Sequence, residues 1–308
     1  MYLTGSSVGS DPGERAAAIV EKLRRIPDDA REFRLSAADA ATILRVRPTL
    51  LDTLVGFGLP TRRRNGTRYF DRHDVTNCAL HLGSGAIARA ARRFWPAALR
   101  RTGGAGRYEV QYQLRCPQPG HAQACNWVLV GPGGRVVERS VCPDEPPLRI
   151  TTACADVWPE LPPEAHAVLD ETRDLEFMML PTAVRYDVDF IRATGLSDCA
   201  GVSRLLVREA VRRGLTARSS YGLIVAPPFA VEHFWAEIAV DDVWVPVDPV
   251  LLRAMIGWGG LPSPEWHPYR SIGAILARVA DAAVVLASHE GRSAPVTLPT
   301  RMVPVGAP

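Results

Sequence analysis

The sequence predicts an α+β protein: a small basic helical module, then a larger domain in which one helix precedes a pair of antiparallel strands. Three observations carry this. Val202, Leu205, Leu206 and Ala210 are spaced as one buried face of a helix over residues 200–213, and Gly214 supplies its stop. Ile238 and Val240 alternate with small or polar residues, and residues 243–247 hold β-formers ahead of Pro249, so two strands flank an Asp241-Asp242 turn. Charge is also segregated. Residues 30–102 contain 14 Arg against five acids, a net +9 in a chain of net charge +3, which leaves −6 elsewhere. The shift argues for a boundary near residue 100, and Thr102-Gly103-Gly104-Ala105-Gly106 is the clearest linker.

At 308 residues the chain has room for two domains and a sizeable core, with the 47% hydrophobic and 22% charged content of an ordinary globular protein. It has no apolar run of membrane-spanning length, and residues 1–15 lack the apolar core of a signal peptide. The expectation is a cytoplasmic protein with no membrane partner. In that setting six cysteines read as thiols, metal ligands or a catalyst rather than as a disulfide framework.

Taken in order, residues 1–34 read as a disordered start (1–14), a short helix (16–26) and a charged connection. Ser36 caps a first helix whose inward positions are Ala40, Ala41 and Leu44. Residues 46–48 turn, and 49–56 form a second helix. Asn65-Gly66 between Arg62-Arg63-Arg64 and Arg68-Tyr69-Phe70 signals a hairpin, and 71–82 a closing helix. These residues resemble a winged helix-turn-helix of the excisionase or MerR type, which with a connecting helix over 86–99 makes a module of residues 35–102. The resemblance implies nucleic-acid binding. Arg62, Arg63, Arg64 and Arg68 suit phosphate contacts, but residues 48–60 contain no Arg, Lys, Asn or Gln, the side chains that read base edges. Sequence-specific DNA binding, non-specific nucleic-acid contact, a scaffold or partner-docking role, and an RNA or peptide ligand all stay open.

The remaining domain, 103–308, begins with a β-meander over 108–143, turning at Gly131-Pro132-Gly133-Gly134. It places Cys116, His121, Cys125 and Cys142 on one rim, spaced C-x4-H-x3-C-x16-C. A structural zinc is compatible with this set, but no tight CxxC is present and buried, reduced cysteines are the favoured reading. Helices are expected over 164–180 and, strongly apolar, over 272–287. The core spans 151–290, and the tail, 291–308, adds an edge strand over 296–305.

The chemistry lies between residues 195 and 249. Cys199 opens the 200–213 helix, where a helix N-terminus and a nearby imidazolium both favour a thiolate. His233 starts one strand and Asp248 ends its hairpin partner, so the two lie side by side. The carboxylate then orients the imidazole and the imidazole activates the thiol. Gly195 to Cys199, Arg212-Arg213-Gly214-Leu215-Thr216-Ala217-Arg218, His233-Phe234-Trp235-Ala236-Glu237 and Trp244 to Pro249 together resemble the core of the transglutaminase-like (papain-like thiol) superfamily. That resemblance implies a papain-like core with the Cys on a helix N-terminus and the His and Asp on adjacent antiparallel strands. It also implies acyl transfer through a Cys199 thioester, without metal or organic cofactor. The substrate would be a peptide, an amide or a carrier-protein-bound acyl group. Amine as acceptor gives an amide-forming transferase of a biosynthetic pathway; water gives an amidase. A leader-peptide or other cysteine protease is the enzymatic alternative. A nucleic-acid-binding regulator with a non-catalytic thiol domain is the alternative of another class. The Cys199 N–H is one oxyanion donor, with Trp158 and Tyr186 as candidates for the second. Phe234, Trp235, Trp258 and Trp266 are candidate walls of the substrate cleft.

Overall fold

The computed structural model describes residues 11–45, 48–101, 106–118, 124–141, 148–155, 157–262 and 264–303. Helices and antiparallel sheets are arranged in two compact units, Met1–Arg92 with Glu176–Asp198, and Arg93–Leu175 with Cys199–Pro308.

In the first unit, the helix Pro12–Leu23 starts where Asp11 accepts from the Gly13 N–H and Pro12 presets the first turn. Its Ala16, Ile19, Val20 and Leu23 recur at helical spacing and are buried with Leu44, Leu54, Val75 and Cys78. The helix thus begins inside the stretch expected to be disordered, because an apolar stripe of four residues has a core to dock on; residues 1–10 lie outside the described residues. Ser36 accepts from the Asp39 N–H at the start of Ala37–Leu44, and Pro48–Gly56 follows. Thr61–Arg64 and Thr67–Phe70 pair as a hairpin. Asn65 and Gly66 turn it with φ of 49° and 78°, the left-handed values a two-residue hairpin requires. Arg72–Leu82 is capped by Asp71 at one end and by left-handed Gly83 at the other.

The unit is not contiguous in sequence. Met178, Leu180 and Leu196 complete its core. Asn77 donates to the Met179 carbonyl at 2.9 Å and accepts from the Met179 N–H at 2.7 Å. Lys22 and Glu176 pair at 2.5 Å. The helix expected over 164–180 accordingly stops early, as Pro163–Asp170, and Glu176–Phe177 becomes a short strand parallel to Leu196–Ser197. The helix expected over 86–99 does form, running from Gly85–Arg89 through a π-helical turn at Ala90–Phe94 into Trp95–Arg100. Pro96 lacks an N–H and its ring clashes with the carbonyl four residues back, which accounts for the wider turn just before it.

In the second unit, four antiparallel strands run in the order Val243–Val247, Val231–Val240, Ala217–Ile224, Leu276–Ala280. The segment expected as a helix over 272–287 supplies the last of these, after a single turn at Gly273–Ile275. An apolar run reads equally as buried helix or buried strand, and the open edge of Ala217–Ile224 decides for strand. The expected meander is also redistributed. Gly106–Leu114 pairs with Leu148–Cys154 and with the tail strands Val296–Thr297 and Thr300–Met302. Cys125–Gly131 instead pairs with Arg135–Val141 and with Ala287–His289. Among the described residues, no helix is long and apolar enough to cross a membrane.

Gly222 lies opposite His233 in the sheet, and a β-carbon there would sit 2.2 Å from the Ala277 carbonyl oxygen and 2.9 Å from the Trp235 ring. The nearer atom is backbone on the neighbouring strand and cannot rotate away. Gly222→Ala is expected to cost more than about 3 kcal/mol, seen as a lowered urea midpoint; an unchanged midpoint would show that the strands separate freely.

Candidate active site

Three local structures bring Cys199, His233 and Asp248 together. The first is the helix Cys199–Arg212, which begins at the cysteine itself. Its buried face comprises Ala200, Val202, Ser203, Leu205, Leu206, Glu209 and Ala210, as the spacing predicts. It ends in a Schellman turn: Leu215 N–H donates to the Ala210 carbonyl at 2.9 Å, and Gly214 has φ of 79°. Ser203 Oγ donates to the Trp235 carbonyl at 2.7 Å, which fixes the helix on the histidine-bearing strand. Gly195, in the phrase before the cysteine, has a separate task. It is the left-handed cap, φ 70°, of the preceding helix Val188–Thr194.

The second is the strand Val231–Val240. Its period of two puts His233, Trp235 and Glu237 on one face and Phe234 on the other. Glu237 is buried; it accepts from Trp235 Nε1 at 3.0 Å and from Arg218 at 2.7 Å, tying the two central strands together below the histidine. The third is the hairpin to Val243–Val247, turned by Asp241 and Asp242 at φ of 47° and 64°. It delivers Asp248 as N-cap of the helix Pro249–Gly259. Asp248 has two roles. Oδ1 accepts from the Leu251 N–H at 2.9 Å, and Oδ2 lies 2.8 Å from His233 Nε2.

With Nε2 on the carboxylate, Nδ1 is left for the hydrogen bond between His233 and the Cys199 thiol. His233 and Asp248 are both buried, whereas Cys199 is half-exposed, so the sulfur is the member that meets solvent. Burial alone would lower the His233 pKa. The negative charge of Cys199, the Asp248 and Cys199 hydrogen bonds and the Asp248 charge outweigh it and raise the pKa to about 10. An imidazolium therefore persists at neutral pH, facing a sulfur that heads a helix.

Several expected site residues fall elsewhere. Trp158 Nε1 donates to the Ala155 carbonyl at 3.1 Å, so its hydrogen is already used and is not offered to an oxyanion. Tyr186 belongs to the first unit and is 38% exposed. Of the aromatic cleft residues, Trp235 and Trp266 are 1% and 2% exposed and wall no open cleft. Phe234 faces away from His233 and packs at a tilt against the Tyr221 ring, centroids 5.0 Å apart, in the core with Trp127 and Leu129. Trp258 lies in the helix that Asp248 caps and is half-exposed.

In the hairpin, Arg62 lies over the Phe33 ring at 4.8 Å and Arg64 over the Tyr69 ring at 5.8 Å; Arg63 is exposed and Arg68 half-buried. Of the expected zinc set, His121 and Cys142 lie outside the described residues. Cys116 and Cys125 do come together, with His289, a residue that no spacing in the sequence singles out. Glu237 was legible in the same period of two that marks His233, whereas Ser203 carries no signal beyond its place on a buried helix face.

No protein-family model matches the chain, and no curated protein sequence does. Among solved structures it is similar to a protein from Cytophaga hutchinsonii described as a candidate cysteine protease. The likeness has 11% identity and a TM-score of 0.34 over 67% of this chain and 93% of that one, a level that fixes neither reaction nor substrate.

Proposed function

We propose that the protein makes or breaks amide bonds by acyl transfer through Cys199. The supporting observation is His233, held by Asp248 at 2.8 Å on one nitrogen and hydrogen-bonded to the half-exposed Cys199 thiol. In this reading the three residues act as a papain-like triad. The Cys199 sulfur attacks the acyl carbonyl, forming the S–C bond while the C=O electron pair moves onto oxygen. The main-chain N–H of Cys199, at an open helix end, is one donor to that oxyanion. When the intermediate collapses, the leaving amine takes a proton from the His233 imidazolium. The thioester is then attacked by an amine or by water, whose proton passes to the now neutral His233, and the thiolate is released. Asp248 keeps Nε2 protonated throughout and moves no proton itself. Substrates of this class are peptides, simple amides or acyl groups carried on another protein.

The test is acyl trapping. An activated ester such as p-nitrophenyl acetate should leave an acetyl group on the Cys199 peptide, detectable by mass spectrometry after a quench. Adding a primary amine then separates transfer, which yields the acetamide, from hydrolysis, which yields acetate. Acetylation spread evenly over the other cysteines, or unchanged in Cys199→Ser, would sink the proposal.

A further inference from the structure

The second unit holds a group of metal-ligating side chains that the thiol chemistry does not use. Cys116 follows the strand Gly106–Leu114, Cys125 opens Cys125–Gly131, and His289 closes Ala287–His289. Their ligand atoms all lie within 4.8 Å of one another, and Cys116 Sγ is 3.6 Å from His289 Nε2. A tetrahedral zinc with Zn–S of about 2.3 Å and Zn–N of about 2.05 Å separates those two donors by about 3.6 Å. Thiolate and imidazole donors select a thiophilic divalent ion over magnesium or calcium.

The surroundings are those of a prepared site. Cys116 Sγ accepts from the Gln118 N–H at 3.4 Å and donates to the Gln118 carbonyl at 3.3 Å, which holds the sulfur in place beside His289. Trp127 sets its edge against the His289 ring at 4.9 Å and restricts its rotation. His289 pairs with Trp127 across the sheet, and Glu290 accepts from the Asn126 main-chain N–H at 2.7 Å. The residues beside two of the ligands are thereby locked to each other. Cys125 and His289 are buried while Cys116 is half-exposed, and His289 also lines a cleft of about 470 Å³ with Gln118 and Arg292.

We infer that Cys116, Cys125 and His289 form a zinc site and supply three of its ligands. Binding converts two thiols to thiolates and releases two protons to solvent. The resulting Cys2His–Zn²⁺ group is neutral, which suits two buried ligands.

Cobalt is the probe. Reduced, metal-stripped full-length protein titrated with Co²⁺ should develop a thiolate-to-cobalt charge-transfer band and the intense visible bands of a tetrahedral ion, saturating near about one equivalent. Zn²⁺ should discharge them. Cys116→Ser, Cys125→Ser and His289→Ala should each lose most of the signal, while Cys199→Ser keeps it. A second readout needs no variant: zinc should slow alkylation of Cys116 and Cys125 in the wild type and leave Cys199 unaffected. Absence of the charge-transfer band in the wild type, its survival in all three ligand variants, its loss in Cys199→Ser, or alkylation rates indifferent to zinc would each overturn the inference.

Discussion

At pH 6, iodoacetamide is expected to label Cys199 before any other cysteine of the chain. An ordinary thiol of pKa about 8.5 is roughly 0.3% thiolate at that pH. Cys199 differs because it heads a helix and faces an imidazolium held charged up to about pH 10. Burial pushes the Cys154 thiol up to about 12 and the Cys78 thiol higher still, so both are internal standards for inertness. His233→Ala removes the positive partner and should slow labelling by up to about two orders of magnitude. Asp248→Asn keeps a side-chain oxygen to cap the following helix but no longer holds a proton on Nε2, so a smaller loss is expected. With a substrate in hand, Cys199→Ser should lower turnover by a factor on the order of 10⁴ to 10⁶. Mass mapping of labelled peptides reads every effect but the last. Labelling of Cys199 no faster than of Cys78 and Cys154, with mild urea as without, would remove it from catalysis.

Arg31→Met is expected to loosen the first unit by about 3–5 kcal/mol, the range for stripping one partner from a buried ion pair. Arg31 is buried and uses all three guanidinium nitrogens: it donates to Asp74 Oδ2 at 2.7 Å, Asp28 Oδ1 at 2.8 Å, and the Leu23 and Ile26 carbonyls at 2.7 and 2.6 Å. It closes the end of the Pro12–Leu23 helix and neutralises Asp74 at once. Methionine keeps most of the stem volume, so the loss reports the charge and its bonds. Amide hydrogen exchange of Pro12–Leu23 and Arg72–Leu82 reads this unit directly; unchanged protection there would refute the assignment.

The same pair sets a pH dependence. Burial pushes the Asp74 carboxyl up from 3.8 to about 6 against the pull of Arg31, and Asp74 Oδ1 has no hydrogen-bond partner among the described residues. A folded pKa above the unfolded one means a contribution that is complete below about pH 4 and is lost as pH rises through 6. The contribution is on the order of 3 kcal/mol. Asp74→Asn should remove that slope; a slope that survives the substitution belongs to another group.

Local rules explain why much of this was readable in advance. Asn65-Gly66 and Asp241-Asp242 take left-handed conformations that few other residues adopt cheaply, so the two hairpins could be placed from their turns. Val202, Leu205, Leu206 and Ala210 mark a helix face by spacing alone, and Cys199 at its start, His233 in one strand and Asp248 after its partner follow from the same periodicities. Those residues meet because a helix and a hairpin close in sequence can be assembled from local geometry.

Long-range packing decided the rest. Residues 272–287 are apolar enough for helix or strand, and only the vacant edge beside Gly222 selected the strand Leu276–Ala280. Residues 176–198 carry no charge signature that assigns them to the N-terminal unit, yet Asn77 binds Met179 on both sides of its amide. The candidate cleft aromatics read alike in sequence, but strand pleating turned Phe234 away from His233 and packing buried Trp266. His289 stands 164 residues beyond Cys125, and a strand pairing with no local signal brings the two together. The amino-acid order by itself thus determined the helix, the turns and the Cys–His–Asp grouping, where conformational preference acts over a few residues. Which strands pair, which residues join each core and where the second cysteine–histidine cluster forms depend on surfaces that exist only once the chain has folded.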